Sequence, residues 1–375
     1  MRNNSWLLFE KLFVARNCIV DLTSHLPLLN ALCEFLEWLI EPVYRPISPT
    51  RYTKREPKLA YFPYDESLQG EQLNRIYKLD FEAFETILRV LKVVGPAIGR
   101  NVLVYTKLCR LIKHYLESAH GDDHERIYKL IVYMTTQILL PTISLVKANP
   151  GVVATLWSIL QEFDYITRFQ AYEDWLVYQN YSKPSLMLEG YYTIKQMGPW
   201  FKTVTPDTVK QKGRILGNIS HNNPGLVFKM ANYVMKNYSN LIEPIVNALS
   251  YSSNLSLDMI IFLVLRDLSN SSYEEKASEQ FMRDGTISDV HGNFSTFLGH
   301  FLRKYYTVDL TSIFSFLTER LLKKQYLDLI ILREIISNMS GNEALEALTY
   351  NQLQALAGGI YLQIESAAVT NDFKK

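Results

Sequence analysis

Two imidazoles and two carboxylates stand within five residues at His120, Asp122, Asp123 and His124, a donor set able to hold a divalent cation and to support metal-dependent hydrolysis. The same stretch, Ser118 to Asp123, is polar and separates two apolar periodic runs. Asp122 and Asp123 therefore read as the cap and first-turn acids of a helix, whose positive end they favour. On that reading the segment is a loop and no metal site is assigned. His114, His221, His291 and His300 are isolated from one another in sequence. Phosphate-loop, nucleophile-elbow, H-E-x-x-H and C-x-x-C patterns do not occur. Gly213 and Gly217 flank Arg214-Ile215-Leu216, but no strand precedes them, as a dinucleotide loop requires. The expectation is a non-enzyme, without catalytic, cofactor or metal residues.

Charge clusters offer a different chemistry. Arg45, Arg51, Lys54, Arg55 and Lys58 face one acid, Glu56, a local net of +4, with Tyr44, Tyr52 and Tyr61 interleaved. Lys195, Lys202, Lys210, Lys212 and Arg214 face only Asp207, again +4. Cations neutralise phosphates and aromatic rings stack on unpaired bases, so either stretch suits RNA. A solvated loop, or an edge against an acidic protein, is the plainer reading. Aromatic residues are dense in Phe163 to Trp175, at positions 163, 165, 169, 172 and 175. At mostly helical spacing they read as filling between helix layers, with any exposed subset suited to a protein interface.

The whole chain limits these readings. Its 375 residues are 48% hydrophobic, enough for a sizeable core, and its net charge of +1 removes the argument from a strongly basic chain. Cys18, Cys33 and Cys109 cannot all pair and lack zinc spacing, so they read as buried thiols of a reducing compartment. The longest uncharged run, Leu130 to Val146, is 17 residues and contains Pro141. It falls short of the roughly 20 apolar residues of a membrane span and reads as a buried helix ending at the proline. Trp6-Leu7-Leu8-Phe9 is cut short by Glu10 and Lys11, unlike a signal peptide. A soluble, intracellular protein without membrane contact is expected.

The elements carrying these residues are helical. Leu329, Leu332, Ile336 and Met339 repeat at i, i+3, i+7 and i+10, widened by Ile331 and Ile335. Similar stripes cover 79–94, 102–116, 127–140, 226–235, 255–268 and 310–322, whereas no alternating segment has a hairpin turn. Asn149-Pro150 and Asn223-Pro224 pair an Asn cap with proline at the first helical position. Thr205-Pro206-Asp207 and Asp309 before Leu310 are further starts, and Gly341 suits a helix end. Successive helices with short connections point to an irregular all-α solenoid of stacked hairpins. Tyr44 to Tyr77, with Pro46, Pro49, Pro57 and Pro63, reads as a basic linker or long loop.

At this point a family resemblance becomes visible. The run Arg214-Ile-Leu-Gly-Asn-Ile-Ser-His-Asn-Asn-Pro-Gly-Leu-Val-Phe228 resembles a segment of the THO complex subunit 2 family. Gln137 to Leu145 and Phe163 to Trp175 agree upstream; Tyr238 to Val246, Phe301 to Tyr305, Asp328 to Gly341 and Leu348 to Gly359 agree downstream, all in order. The likeness is collinear from Val90 to Gly359 and fainter from Glu41. It implies a nuclear THO/TREX scaffold coupling transcription to mRNP assembly and mRNA export. Such a scaffold holds other THO subunits and a DEAD-box RNA helicase, which supplies the ATPase, and its contact with mRNA is indirect. The family's members are several times longer, so the chain reads as a fragment, and RNA binding by the family's basic tail is not carried over.

The organisation expected is N-terminal helices (1–43), a Pro-rich basic linker (44–78), helical hairpins (79–162), a middle region leading into a MIF4G/HEAT-like array (163–359) and a tail (360–375). His221 and Asn222 are candidate partner contacts. Arg45, Arg51, Lys54, Arg55, Lys58, Lys202, Lys210, Lys212 and Arg214 are candidate contacts to RNA or an acidic partner. Alternatives are an unrelated coat-type or nuclear-pore-type solenoid, or an RNA-binding helical module.

Overall fold

Apolar stripes at helical spacing become helices throughout the computed structural model, which describes residues 22–48, 76–118, 124–181, 184–270 and 289–340. No strand occurs among them. The helices are α1 (Leu26–Ile47), α2 (Phe81–Val94), α3 (Val102–Ser118), α4 (His124–Met134), α5 (Pro150–Leu160), α6 (Tyr165–Tyr181) and α7 (Pro184–Thr203). There follow α8 (Val209–Ser220), α9 (Pro224–Asn237), α10 (Ile242–Ala248), α11 (Asn254–Asn270), α12 (Asp289–Lys304), α13 (Thr311–Leu322) and α14 (Leu329–Ser340). The fold is all-α, of the irregular solenoid class. It divides into one unit of residues 1–232 and 248–263 and another of 233–247 and 264–375.

In the first unit packing is local along the chain: α1 lies against α2 and α3, α2 against α4, α3 against α5, α6 against α7, and α7 against α8. These pairs lie one or two places apart in the helix order, as stacked hairpins require, while α6 also reaches α11 through Arg168 and Asp258. The buried face of α1 shows why: Leu29, Leu32, Cys33, Leu36, Leu39, Ile40 and Val43 follow the 3.6-residue period. Burial pushes the Cys33 and Cys109 thiols up to about 12, leaving both unreactive. Cys18 lies outside the described residues. In the second unit α12 lies against α14. Gly299 lets them close, because a Cβ there would stand 3.0 Å from the Glu334 carbonyl.

Side-chain oxygens serve first-turn amides at two of the four starts, although α13 begins at Thr311 with Leu310 as its N-cap, one residue later than read. Asn149 Oδ1 accepts from the Gly151 and Val152 amides, and Asp309 Oδ1 accepts from the Thr311 amide and hydroxyl. The third, α9, starts at Pro224 as read, and Asn223 is buried, its Nδ2 donating to Thr193 Oγ1 at 2.8 Å. Thr205-Pro206-Asp207 does not start a helix. The Thr205 amide donates to Thr208 Oγ1 and the Thr208 amide to the Thr205 carbonyl, closing a turn that delays α8 to Val209. Gly341 lies outside the described residues.

At two places prolines are absorbed rather than obeyed. The helix expected to end at Pro141 instead widens into a π turn at Thr135–Leu139 and continues as Leu140–Thr142. Proline lacks an amide and crowds the carbonyl four residues back, and a widened turn relieves both. Buried hydroxyls serve the carbonyls around it: Thr142 Oγ1 donates to Ile138 at 2.6 Å and the Tyr105 hydroxyl to Leu139 at 3.0 Å. Similarly, α1 runs through Pro42 and Pro46 to Ile47, taking in residues read as loop. Burial of Val43 and Tyr44 offsets the hydrogen bonds lost at the prolines.

Candidate functional site

The second basic stretch is gathered at the corner between α7 and α8. Trp200 Nε1 donates to the Lys212 carbonyl at 2.8 Å, and Lys212 Nζ donates to Thr203 Oγ1 at 2.7 Å. These bonds bring the end of α7, with exposed Lys202, against the start of α8, with exposed Lys210. Arg214 is exposed one turn further on, its guanidinium 6.0 Å from the Tyr251 ring centre. Lys212 is therefore a brace as well as a charge, whereas Lys202 and Lys210 offer theirs to solvent. The corner is a convergent cationic surface suited to carboxylates or phosphates.

Of the cations in the first basic stretch, only Arg45 lies within the described residues. Arg45 Nε lies 3.5 Å from Glu41 Oε1, and Arg51, Lys54, Arg55 and Lys58 lie outside the described residues. The buried cation near Arg45 is Lys107, whose Nζ meets Glu37 Oε1 at 2.6 Å and Glu41 Oε2 at 3.0 Å. Burial pulls the Lys107 ammonium down, but hydrogen bonds to the two carboxylates together raise its pKa above the ordinary lysine value.

The Ser220-His221-Asn222-Asn223-Pro224 run forms the turn from α8 to α9. The His221 and Asn222 amides donate to the Gly217 and Ile219 carbonyls at 3.1 Å each. Buried Ser220 donates to the Gly217 carbonyl at 3.0 Å and accepts at its own carbonyl from Ser256 at 3.4 Å. His221 is half-buried and its inner Nδ1 has no hydrogen-bond partner among the described residues. Burial lowers its pKa, so the imidazole is neutral at pH 7. Asn222 is also half-buried. Gly213 and Gly217 have their physical reason here: a Cβ at Gly213 would stand 2.7 Å from Tyr251 Cδ2, and one at Gly217 would strike the Tyr251 carbonyl.

Several groups emerge only from the fold. Arg168 Nε lies 3.0 Å from Asp258 Oδ2, which also accepts from the Tyr172 hydroxyl at 2.7 Å. Arg168 Nη1 donates to the Phe163 carbonyl at 2.8 Å. Burial first, then the Asp258 carboxylate, drives the Tyr172 phenol well above its usual range. The aromatic run of α6 divides accordingly: Phe163, Tyr172 and Trp175 are buried, while Tyr165 and Phe169 are half-buried. In the second unit Asp328 lies between His291 Nε2 and Arg320 Nε, 3.6 Å from each. Along α7, Met187, Leu188, Tyr191, Tyr192 and Ile194 are exposed, a face whose sequence signal was the i, i+4, i+7 spacing of 187, 191 and 194.

His120, Asp122 and Asp123 lie outside the described residues, and His124 begins α4. No metal-holding group of three or more His, Cys, Asp or Glu occurs among the described residues. Nor is any described helix long and apolar enough to cross a membrane.

Two family models match in succession: THO complex subunit 2 N-terminus over residues 48–214, and Transcription- and export-related complex subunit over 216–286. The human THO complex subunit 2 is 28% identical over 350 residues, covering 91% of this chain and 21% of its own length. The Arabidopsis thaliana protein of that name is 26% identical over 312 residues, covering 79% of this chain and 17% of its own length. For the Saccharomyces cerevisiae protein the figures are 21% over 296 residues, 78% and 18%. The chain spans about one fifth of the length of these relatives.

Proposed function

The chain belongs to the THO complex subunit 2 family, and we propose that it is a non-catalytic scaffold segment of a nuclear THO/TREX assembly. In that role it holds other THO subunits and a DEAD-box RNA helicase in fixed relation, coupling transcription to mRNP assembly and mRNA export. The observation that carries the proposal is the succession of the two family models along one chain, from residue 48 to residue 286. Stacked helices suit the task, because nearest-neighbour packing yields a long surface without a single central cavity. Helices of the 163–359 region belong, on this reading, to a MIF4G/HEAT-like array facing the helicase. The cations of the α7–α8 corner and the half-buried pair His221 and Asn222 are its proposed contact positions, and mRNA is reached through partners.

The test is affinity purification of the tagged full-length protein from nuclear extract at moderate salt, read by mass spectrometry. Recovery of the other THO subunits and a DEAD-box helicase is expected. Enrichment of vesicle-coat or nuclear-pore proteins in their place, or recovery of no partner, would overturn the reading.

A further inference from the structure

We infer that the outward face of α7 is a docking site for an acidic amphipathic helix supplied by a partner protein. The inference rests on the scaffold reading and names one surface that would do the holding. Along α7, Leu186, Gly190, Thr193 and Met197 are buried at helical spacing. The opposite face carries Met187, Leu188, Tyr191, Tyr192 and Ile194, each between 47% and 60% exposed. Single exposed apolar residues are ordinary, but five on consecutive turns of one face mark a surface that another element covers. Met187, Tyr191 and Ile194 fall at i, i+4 and i+7, the spacing at which one helix meets another.

Charge identifies the occupant. Beyond Ile194 the exposed side of α7 continues with Lys195 and Lys202, and Lys210 follows across the corner. The single carboxylate of α7 is Glu189, half-buried beside its core face. A helix lying along this face therefore meets an apolar stripe and then Lys195, Lys202 and Lys210 in excess of the one acid of the corner, Asp207, which calls for apolar anchors followed by Asp or Glu. A second copy of the chain would bring the same lysines to its α7 face. A nucleic acid fits less well, because Met187, Leu188 and Ile194 offer no stacking plane. The Tyr191 and Tyr192 rings, 6.0 Å apart, are tilted by 60° rather than forming a platform.

The experiment places a photoreactive phenylalanine analogue at position 191 of the tagged full-length protein in cells. After irradiation the adducts are mapped as peptides, while the co-purified subunits are counted in the same sample. The expected adduct is a segment of another protein with apolar residues at i, i+4 and i+7 and flanking acids. Its synthetic peptide should bind the purified protein at least about tenfold more weakly after Tyr191→Ala with Ile194→Ala. Lys195→Glu with Lys202→Glu should weaken it about three- to tenfold at low salt. Both variants should keep the parent melting temperature, since all four side chains are exposed. An adduct to RNA, to the chain itself or to a segment without that pattern, or no adduct, overturns the inference. Should the complex co-purify without the expected adduct, this site alone fails; loss of the complex itself defeats the scaffold reading.

Discussion

A charge inside a protein persists only where partners replace the water it has lost, and the Arg168–Asp258 pair meets that condition. Both side chains are 6% exposed, and the Tyr172 hydroxyl and Phe163 carbonyl add hydrogen bonds to them. Asp258→Ala would leave the guanidinium buried without its counter-charge. We expect a loss of about 3–5 kcal/mol in chemical denaturation. Lys129→Ala, at an exposed pair with Glu125 on one helix, should leave the denaturation midpoint unchanged, because solvent screens that pair. His221 gives a pH signature instead. Its folded pKa lies below the ordinary 6.5 because of burial, so the unfolded chain takes up the proton first. The contribution of His221 is complete above pH 6.5 and is lost as pH falls from there through the folded value. His221→Asn should flatten that part of the stability–pH curve.

At the scale of the element, local rules mark where helices begin and long-range contacts decide how they bend and approach. The Asn149 cap was legible because it is a short-range pattern; the Leu329 stripe marked α14 as a helix but not its buried face, since Ile331 and Ile335 are buried whereas Leu329, Ile336 and Met339 are exposed. The π turn before Pro141 was not legible, because its relief depends on Tyr105, a residue 34 positions upstream. The delayed start of α8 rests on a competing turn through the Thr208 hydroxyl, which the Thr-Pro-Asp signal does not reveal. Nor could the sequence pair Arg168 with Asp258, 90 positions away, or show that α7 turns five large apolar residues outward. Gly213 and Gly217 looked like an incomplete loop motif, yet they are where α8 closes on Tyr251. Gly217→Ala should therefore cost about 1–3 kcal/mol or more, since the added methyl meets backbone. Gly292→Ala on α12 meets nothing within 4 Å and should stabilise by about 0.5–1 kcal/mol. Equal effects at the two glycines, read by thermal or urea unfolding, would contradict this distinction between close approach and open surface.

For the whole molecule, the pattern of neighbours matters more than the size of any single core. In the first unit α2 and α3 both pack on α1, whereas α7 and α8 lie much further along the chain and pack together. In such a stack stability is a sum of repeat and interface terms, so damage spreads to adjacent helices before distant ones. Lys107 provides the probe. It is 7% exposed and answers Glu41, which is 4% exposed, across the contact of α3 with α1. Lys107→Ala removes the ammonium shared by Glu37 and Glu41 and leaves Glu41 with Arg45 at 3.5 Å, at a cost of about 1.5–3 kcal/mol. Amide hydrogen exchange should then accelerate by about tenfold or more in α1 and α3, with α7 and α8 retaining their parent rates. That gradient is what a scaffold needs, because one surface can then yield to a partner while another keeps its shape. Simultaneous acceleration of all the helices of the first unit would instead mean a single cooperative core, and the stacked-hairpin account of the fold would fail with it.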